Sequence, residues 1–474
     1  MTKRLFPLDM DEDTLAALND SIDRFVRQFH RSTATAPPRW PEPAAEDLAA
    51  LLKPPTEDGR APDELLAHIA TALRSGIEWS SGSIMCFVPG GGLPTAALGT
   101  YLATATNRYV GLAMLSPGAV AIEHSISNWL CREFSMPSSA IATATTGASM
   151  ATLHALVAAR QSLGGDFDDG VVYTTGQAHP CLRKAAFIAG LPSRALAEVP
   201  MTDTGQMDTD AAGRMIHRHR EEGRRPFMIA ATAGTTGMGA VDPLGEIADL
   251  ADEFGLWFHV DAAYGGFFHL TETGRRELAG IERADSIVLD PHKGLFLPPG
   301  YGYLITADAS RLTEVFSASQ APVLADLATN LDLPDYCDFG LELTRDWRGL
   351  RLWLPLHLHG VSVFRAVLDH HLQLAQRLYD RLAEIDGMVL WGRPALSIVP
   401  FNVRGWSEAE LAGLVDRIAA EGRVLVSTSR FKGQLILRAC ILHFRTTAED
   451  VDRLAETLQR FISSTGAGRS ALRQ

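Results

Sequence analysis

The sequence predicts an α/β protein in three parts. These are a helical N-terminal arm over residues 1–94, a large domain over 95–350 with a mainly parallel sheet between helices, and a small C-terminal α/β domain over 351–474. Three observations predict this. In the middle of the chain, continuous apolar runs alternate with amphipathic helical stretches, the pattern of a parallel sheet covered on both faces. Before them, apolar residues recur at helical spacing and end at a Pro-rich connector. After them, a long helical stretch gives way to short strands and two more helices.

The arm places Leu15, Leu18, Ile22, Phe25 and Val26 on one helical face, and "STATAPPRWPEPAAED" interrupts it. A Gly/Pro loop, "FVPGGGLPTAALG", leads into the large domain. The expected strands there are "GVVYTT" (170–175), "FMIAATAG" (227–234), "LWFHVDAA" (256–263), "SIVLD" (286–290) and "YGYLIT" (301–306). Between two of them, "PLGEIADLADEFG" sets Ile247, Leu250, Ala251 and Phe254 on one face, with Gly255 as the C-cap. A helix is expected over 360–384, then "ALSIVPFNV", a helix over 407–421, "RVLVSTS", "QLILRACIL" and a closing helix "TAEDVDRLAETLQRFI".

Bulk properties exclude several classes. With 474 residues, 46% hydrophobic and 21% charged, the chain has the make-up of a globular protein with a large core. A formal charge of −13 argues against nucleic-acid or anionic-membrane partners. Five cysteines with no C-x-x-C fit a reducing compartment and neither a disulfide framework nor a zinc site. The N-terminus turns acidic where a secretory signal would be apolar, and no run of about 18 apolar residues occurs. The expectation is a cytoplasmic protein without membrane contact. His357 and His359, and the adjacent His370 and His371, diverge on their helices, so no metal site is expected. "GTTGMGAVD" does not fit G-x-G-x-x-G.

The chemistry centres on "DPHKG" (290–294), where Lys293 stands between apolar runs. A lysine that anchors an aldehyde cofactor such as pyridoxal phosphate needs three kinds of support. A carboxylate must face the ring nitrogen, donors must take the phosphate, and flat groups must hold the ring. Asp261 ends an apolar strand, where open α/β sheets bind ligands, and Ala262 and Ala263 beside it leave room for a ring. Gly147, Ala148 and Ser149 open a helix whose free N–H groups form an anion site. His179 lies in a loop directly after a strand, and Thr232, Thr235 and Thr236 mark another strand end. The order of these signals along the chain is more specific than any one of them.

In that order the sequence resembles the group II pyridoxal-phosphate-dependent amino-acid decarboxylases, the aromatic amino-acid and glutamate decarboxylase-like family. The resemblance runs from about residue 60 to 460 through "FVPGGGLPTAALGTYLATATNRYVG", "TTGASMATLHALVAAR", "GQAHPCLRKAAFIAGL", "ATAGTTGMGAVDPLGEIADLADEFGLWFHVDAAYGG", "DPHKG", "RDWRGLRLW" and "LRACILHFRTT". It implies the aspartate-aminotransferase fold, PLP-dependent transferase fold type I, with a seven-stranded type of sheet. By the same resemblance Lys293 forms a Schiff base with the cofactor and Asp261 pairs with the pyridinium nitrogen. His179 stacks on the ring, Ala263 packs on its other face, and Thr232 lies near it. Ala148, Ser149 and His292 bind phosphate. A homodimer with shared active sites is implied, its N-terminal arm wrapping the partner.

Four departures from the family stand out. Ser81 and Gly82 replace a His-Pro pair in a loop that touches substrate in relatives, so an altered pocket is expected. Gly294 replaces a frequent Trp and is expected to open space beside the cofactor. Asp290 replaces a frequent Asn. The mobile-loop tyrosine that returns a proton in many relatives aligns with Pro322 or a neighbour, leaving Tyr336 as a possible substitute donor. The resulting expectation is decarboxylation of an L-amino acid or modified amino acid through a quinonoid. The alternatives are oxygen-dependent decarboxylation with oxidative deamination to an aldehyde, β-elimination, transamination, or a degenerate binding protein.

Overall fold

The computed structural model describes residues 8–33, 35–165, 167–317 and 331–471, with side chains through 464. Its centre is a seven-stranded sheet. The strands are β1 (Ile141–Thr145), β2 (Gly170–Thr175), β3 (Leu196–Val199), β4 (Arg225–Thr232), β5 (Trp257–Asp261), β6 (Ser286–Leu289) and β7 (Gly302–Thr306), in the order β1-β7-β6-β5-β4-β2-β3. From β6 to β3 every pairing is parallel; β7 runs antiparallel between β6 and β1. The fold class is the one expected.

Each of the five quoted runs forms a strand within a few residues of its expected bounds. The pattern did not single out β1 and β3. β1 reads "IATAT", wholly buried yet made of small residues and threonines, and β3 is a four-residue edge strand. Neither has the bulky β-branched run that marks the inner strands. The helix Leu244–Phe254 ends at Gly255 in the left-handed conformation (φ 59°), as its sequence predicts.

A second, antiparallel sheet contains β8 (Met388–Leu390), β9 (Ile398–Val403), β10 (Ser427–Phe431) and β11 (Gln434–Cys440), in the order β10-β11-β9-β8. The helix Val361–Ala383 joins the two cores. Phe364, Leu368 and Leu372 pack into the main core, while Leu374, Leu378 and Leu382 pack against Phe401 and Leu437. Packing is continuous across residue 350 through Leu352 and Leu356, so the division at 94 and 350 remains our proposal. Tyr264 ties the parts together: its hydroxyl meets Ser397 Oγ at 2.8 Å and accepts the Ser397 N–H at 2.9 Å.

The N-terminal helix Glu12–Ser32 starts at Asp11, whose carboxylate accepts the Thr14 N–H at 2.7 Å. It has no buried residue, although Leu15, Ile22 and Val26 line it. Among the described residues, no helix is long and apolar enough to cross a membrane.

Among the described residues, five histidines are buried, and in four of them burial lowers the proton affinity far below the usual value. Burial pushes His154, His259 and His371 down to about 4 and His443 to about 3, with Arg345 adding to the effect at His154 and Arg445 at His443. A group depressed on folding stabilises the native state above its unfolded value, about 6.5, and loses that contribution as pH falls through the folded value. The thermal midpoint of the cofactor-free protein is therefore expected to fall steadily from pH 6.5 to 4. Scanning calorimetry across that window checks this; a flat midpoint would contradict it.

Candidate active site

The carboxyl ends of β1, β2, β4, β5 and β6 open on one side of the sheet. A cavity of about 410 Å³ lies there, lined among others by Ala148, Ser149, His179, Thr232, Asp261, Ala263, His292 and Lys293. These eight residues therefore meet in one place, with Gly147 and Thr236 beside them, whereas Thr235 and Ala262 are fully buried and do not line the cavity. Thr232 and Asp261 are paired across the parallel β4–β5 ladder, so the two strand ends are level.

Lys293 lies in a one-turn helix, Pro291–Gly294, directly after β6. Its Nζ is 2.9 Å from Oδ2 of Asp290, which is 3% exposed. Burial works to lower the lysine's affinity for its proton. The charge and hydrogen bond of Asp290 outweigh it, with Asp261 and Cys181 adding, and hold the ammonium above its usual value. The other Asp290 oxygen, Oδ1, accepts the Ala148 N–H at 2.9 Å. His292 donates from Nδ1 to the Tyr301 carbonyl at 2.8 Å, which leaves Nε2 for the cavity.

His179 accepts the Cys181 N–H on Nδ1 at 3.2 Å, which leaves Nε2 as the protonated nitrogen of the neutral ring. Burial lowers its proton affinity, opposed by Asp261 and assisted by Lys293, so it is a neutral imidazole at pH 7. Asp261 accepts the Ala263 N–H at 3.1 Å. The Thr232 N–H is held at 2.7 Å by the buried carboxylate of Asp242, which burial pushes up to about 6. The helix Ala148–Arg160 begins at Gly147 (φ 143°), which offers no side-chain cap, and its first N–H, that of Ala148, is taken by Asp290.

Tyr264, Cys181 and Gln177 also line the cavity and were not singled out. Each stands within two residues of one that was, and this adjacency was the available signal. Of Arg345, Arg348, Arg351 and Arg438, three are engaged in the fold. Arg345 donates to Thr143 and Ala144 beside Glu123, Arg348 pairs with Glu342 and Asp346, and Arg351 donates to Thr100. Arg438 is buried, has no ion pair among the described residues, and keeps Nη1 without a hydrogen-bond partner.

Three expectations are corrected here. Gly294 does not open space beside the cofactor: it is buried, and a Cβ there would lie 2.8 Å from Cβ of Phe267, which fills the volume. Tyr336 is no substitute proton donor. It is fully buried away from the cavity, packed under Arg345 and near His124, and burial raises its hydroxyl far above the usual range. Ser81 and Gly82 do not line the cavity that holds Lys293. They line a separate one of about 590 Å³ with His30 and Arg445, and a Cβ at 82 would meet the Arg445 carbonyl at 2.5 Å, so this path excludes a proline. Pro322 lies outside the described residues.

Fold and site together place a buried lysine, two carboxylates and a helix start around one cavity at the carboxyl edge of a mainly parallel sheet. The comparisons agree. Residues 50–404 match the pyridoxal-dependent decarboxylase conserved domain. The chain is 32% identical over 408 residues to an aromatic-L-amino-acid decarboxylase of Bacillus atrophaeus, covering 83% of this chain and 84% of that one. It is 28% identical over 356 residues to a phenylacetaldehyde synthase of Petunia hybrida, covering 72% and 70%. In fold it matches the crystal structure of Oryza sativa TDC with PLP and tryptamine at a TM-score of 0.89 and 23% identity, over 97% of this chain and 99% of that one. The chain belongs to the pyridoxal-dependent decarboxylase family, a group of carboxy-lyases, and its cofactor is pyridoxal phosphate. The donor set fits that cofactor: an amine held among carboxylates, a facing strand-end acid and a helix start that lines the cavity.

The glycine loop is part of this geometry. A Cβ at Gly90 would lie 1.8 Å from the His292 carbonyl oxygen, and the Leu93 N–H donates to Phe296 at 2.6 Å. Gly90→Ala is expected to push the lysine turn out of place, costing roughly 1–3 kcal/mol in denaturant unfolding and weakening cofactor retention. Gly59→Ala, with open space around the added carbon, serves as the neutral control.

Proposed function

We propose that this enzyme removes the α-carboxylate of an L-amino acid or modified amino acid at the cavity around Lys293. The observation that carries the reading is the convergence of Lys293, Asp261, His179 and the helix start at Ala148 and Ser149 on that one cavity. In this reading Lys293 anchors the cofactor and Asp261 faces the ring nitrogen and keeps it protonated. His179 lies on one ring face, Ala263 packs on the other, and Thr232 lies beside it. Ala148, Ser149 and His292 hold the phosphate. Bound pyridoxal phosphate supplies an electron sink for the pair left when the Cα–carboxylate bond breaks. The chain orients that bond and keeps water from the reacting face.

A second reading, oxygen-dependent conversion to an aldehyde, is favoured by one observation. Among the described residues, Tyr264 is the tyrosine that lines the cavity, and its hydroxyl is held by Ser397 Oγ and N–H. A phenol so engaged is a poor proton donor, and slow protonation leaves time for oxygen to react. The likeness to a phenylacetaldehyde synthase supports the same reading.

The exposed apolar face of Glu12–Ser32 supports a homodimer. Leu15, Ile22 and Val26 on this helix join Leu65, Ile69 and Leu73 and the exposed Leu98, Tyr101 and Leu102. A 21-residue amphipathic helix with no buried residue needs a covering surface, and a second copy of the chain supplies one.

Two tests follow. Borohydride reduction of the coloured protein is expected to fix the cofactor on Lys293, and Lys293→Ala to abolish both the adduct and turnover. An amino-acid panel with and without oxygen, read for carbon dioxide, amine, aldehyde, ammonia and peroxide, separates the two chemistries. Equal turnover to amine without oxygen would exclude the aldehyde route. Light scattering is expected to give twice the chain mass, and Ile22→Asp with Val26→Asp to reduce it to one.

A further inference from the structure

Asp290 is the departure from the family that the proposed chemistry leaves unused. It is 3% exposed, and both its oxygens are engaged. Oδ2 meets the Lys293 ammonium at 2.9 Å, and Oδ1 accepts the Ala148 N–H at 2.9 Å. His292 Nδ1 is 3.6 Å from Oδ1 but gives its proton to the Tyr301 carbonyl, so Lys293 is the charge that balances this carboxylate. A buried carboxylate without such partners would be costly.

We propose that Asp290 is a positioning residue that latches the cofactor-free site: one carboxylate holds Lys293 as its ammonium and occupies the first N–H of the helix that takes the phosphate. The proposal rests on the reading of Lys293 as the cofactor anchor. The chemistry of capture gives the latch its consequence. A neutral lysine amine adds to the aldehyde carbon, water leaves, and a C=N bond replaces the C=O. The ammonium must therefore give up a proton first, and Asp290 opposes that loss. The arriving phosphate also meets a carboxylate already seated at Ala148, a like charge in the cradle.

Other groups act on Lys293 as well. Asp261 comes from the end of β5, Cys181 from the helix Cys181–Ile188, His179 from the loop after β2, and Cys440 from β11. Burial holds the two thiols protonated, at about 11 for Cys181 and about 12 for Cys440, and His179 is neutral. Asp261 is shared with the ring nitrogen, which leaves Asp290 as the charge specific to the empty site.

Asparagine separates the two halves of the latch. Its Oδ1 still accepts the Ala148 N–H, but it carries no charge. The test follows capture of added pyridoxal phosphate by the cofactor-free enzyme, by absorbance, from pH 6 to 10. In Asp290→Asn the midpoint of the rate profile is expected at lower pH than in the parent. The rate at pH 7 rises with it, by up to about tenfold if the midpoint falls by a full pH unit. Asp290→Ala is expected to move the profile likewise but to melt at lower temperature than Asp290→Asn, because it also loses the contact to Ala148. An unchanged or raised midpoint in a folded Asp290→Asn would overturn the latch. Borohydride trapping and peptide mass analysis of the parent protein distinguish the other failure: a cofactor fixed elsewhere than Lys293 would overturn the anchor reading and the latch with it.

Discussion

Parallel pairing of β2, β4, β5 and β6 brings four strand ends to one edge of the sheet, and everything functional in this chain hangs on that alignment. Because β4 and β5 are in register, Thr232 and Asp261 end level with each other. Lys293 follows one turn beyond β6, and His179 a short loop beyond β2. Backbone pairing aligns these groups more rigidly than flexible loops could. β7 completes the edge by running back between β6 and β1, which carries the helix start at Ala148 to the lysine turn.

The charges at that edge balance only as a set. Asp290 neutralises Lys293 and seats the helix start; Asp261 stands across the cavity; His179 and His292 have tautomers set by a backbone N–H and a backbone carbonyl. The ammonium of Lys293 is held chiefly by Asp290, three residues earlier at the start of the same turn. Behind them, Tyr264 ties the cavity wall to Ser397, the residue before β9.

Most of the site was legible because its residues sit in short motifs at the ends of apolar runs. Lys293, Asp261, His179, Thr232, Ala148 and Ser149 could each be placed by that rule. The failures share a cause. Gly294, Ser81 and Gly82 were read by what relatives carry, yet what a missing side chain does depends on what fills its place. Phe267 fills one gap, and the close approach of the Arg445 turn accounts for Gly82. Tyr336 is near in sequence to the relevant loop but is held inside the large domain by packing.

The sequence by itself determined the strand runs, the helix caps and the order of the chemical groups, since these follow from local periodicity and turn chemistry. It also carried the family and its cofactor. Tertiary structure alone decided which side of the sheet collects these groups, that Asp290 faces both the lysine and the Ala148 N–H, and that Arg438 is buried with an unpartnered donor. The contact between Asp290 and Ala148 joins positions 142 residues apart. Its energy depends on burial and distance, which no run of letters carries.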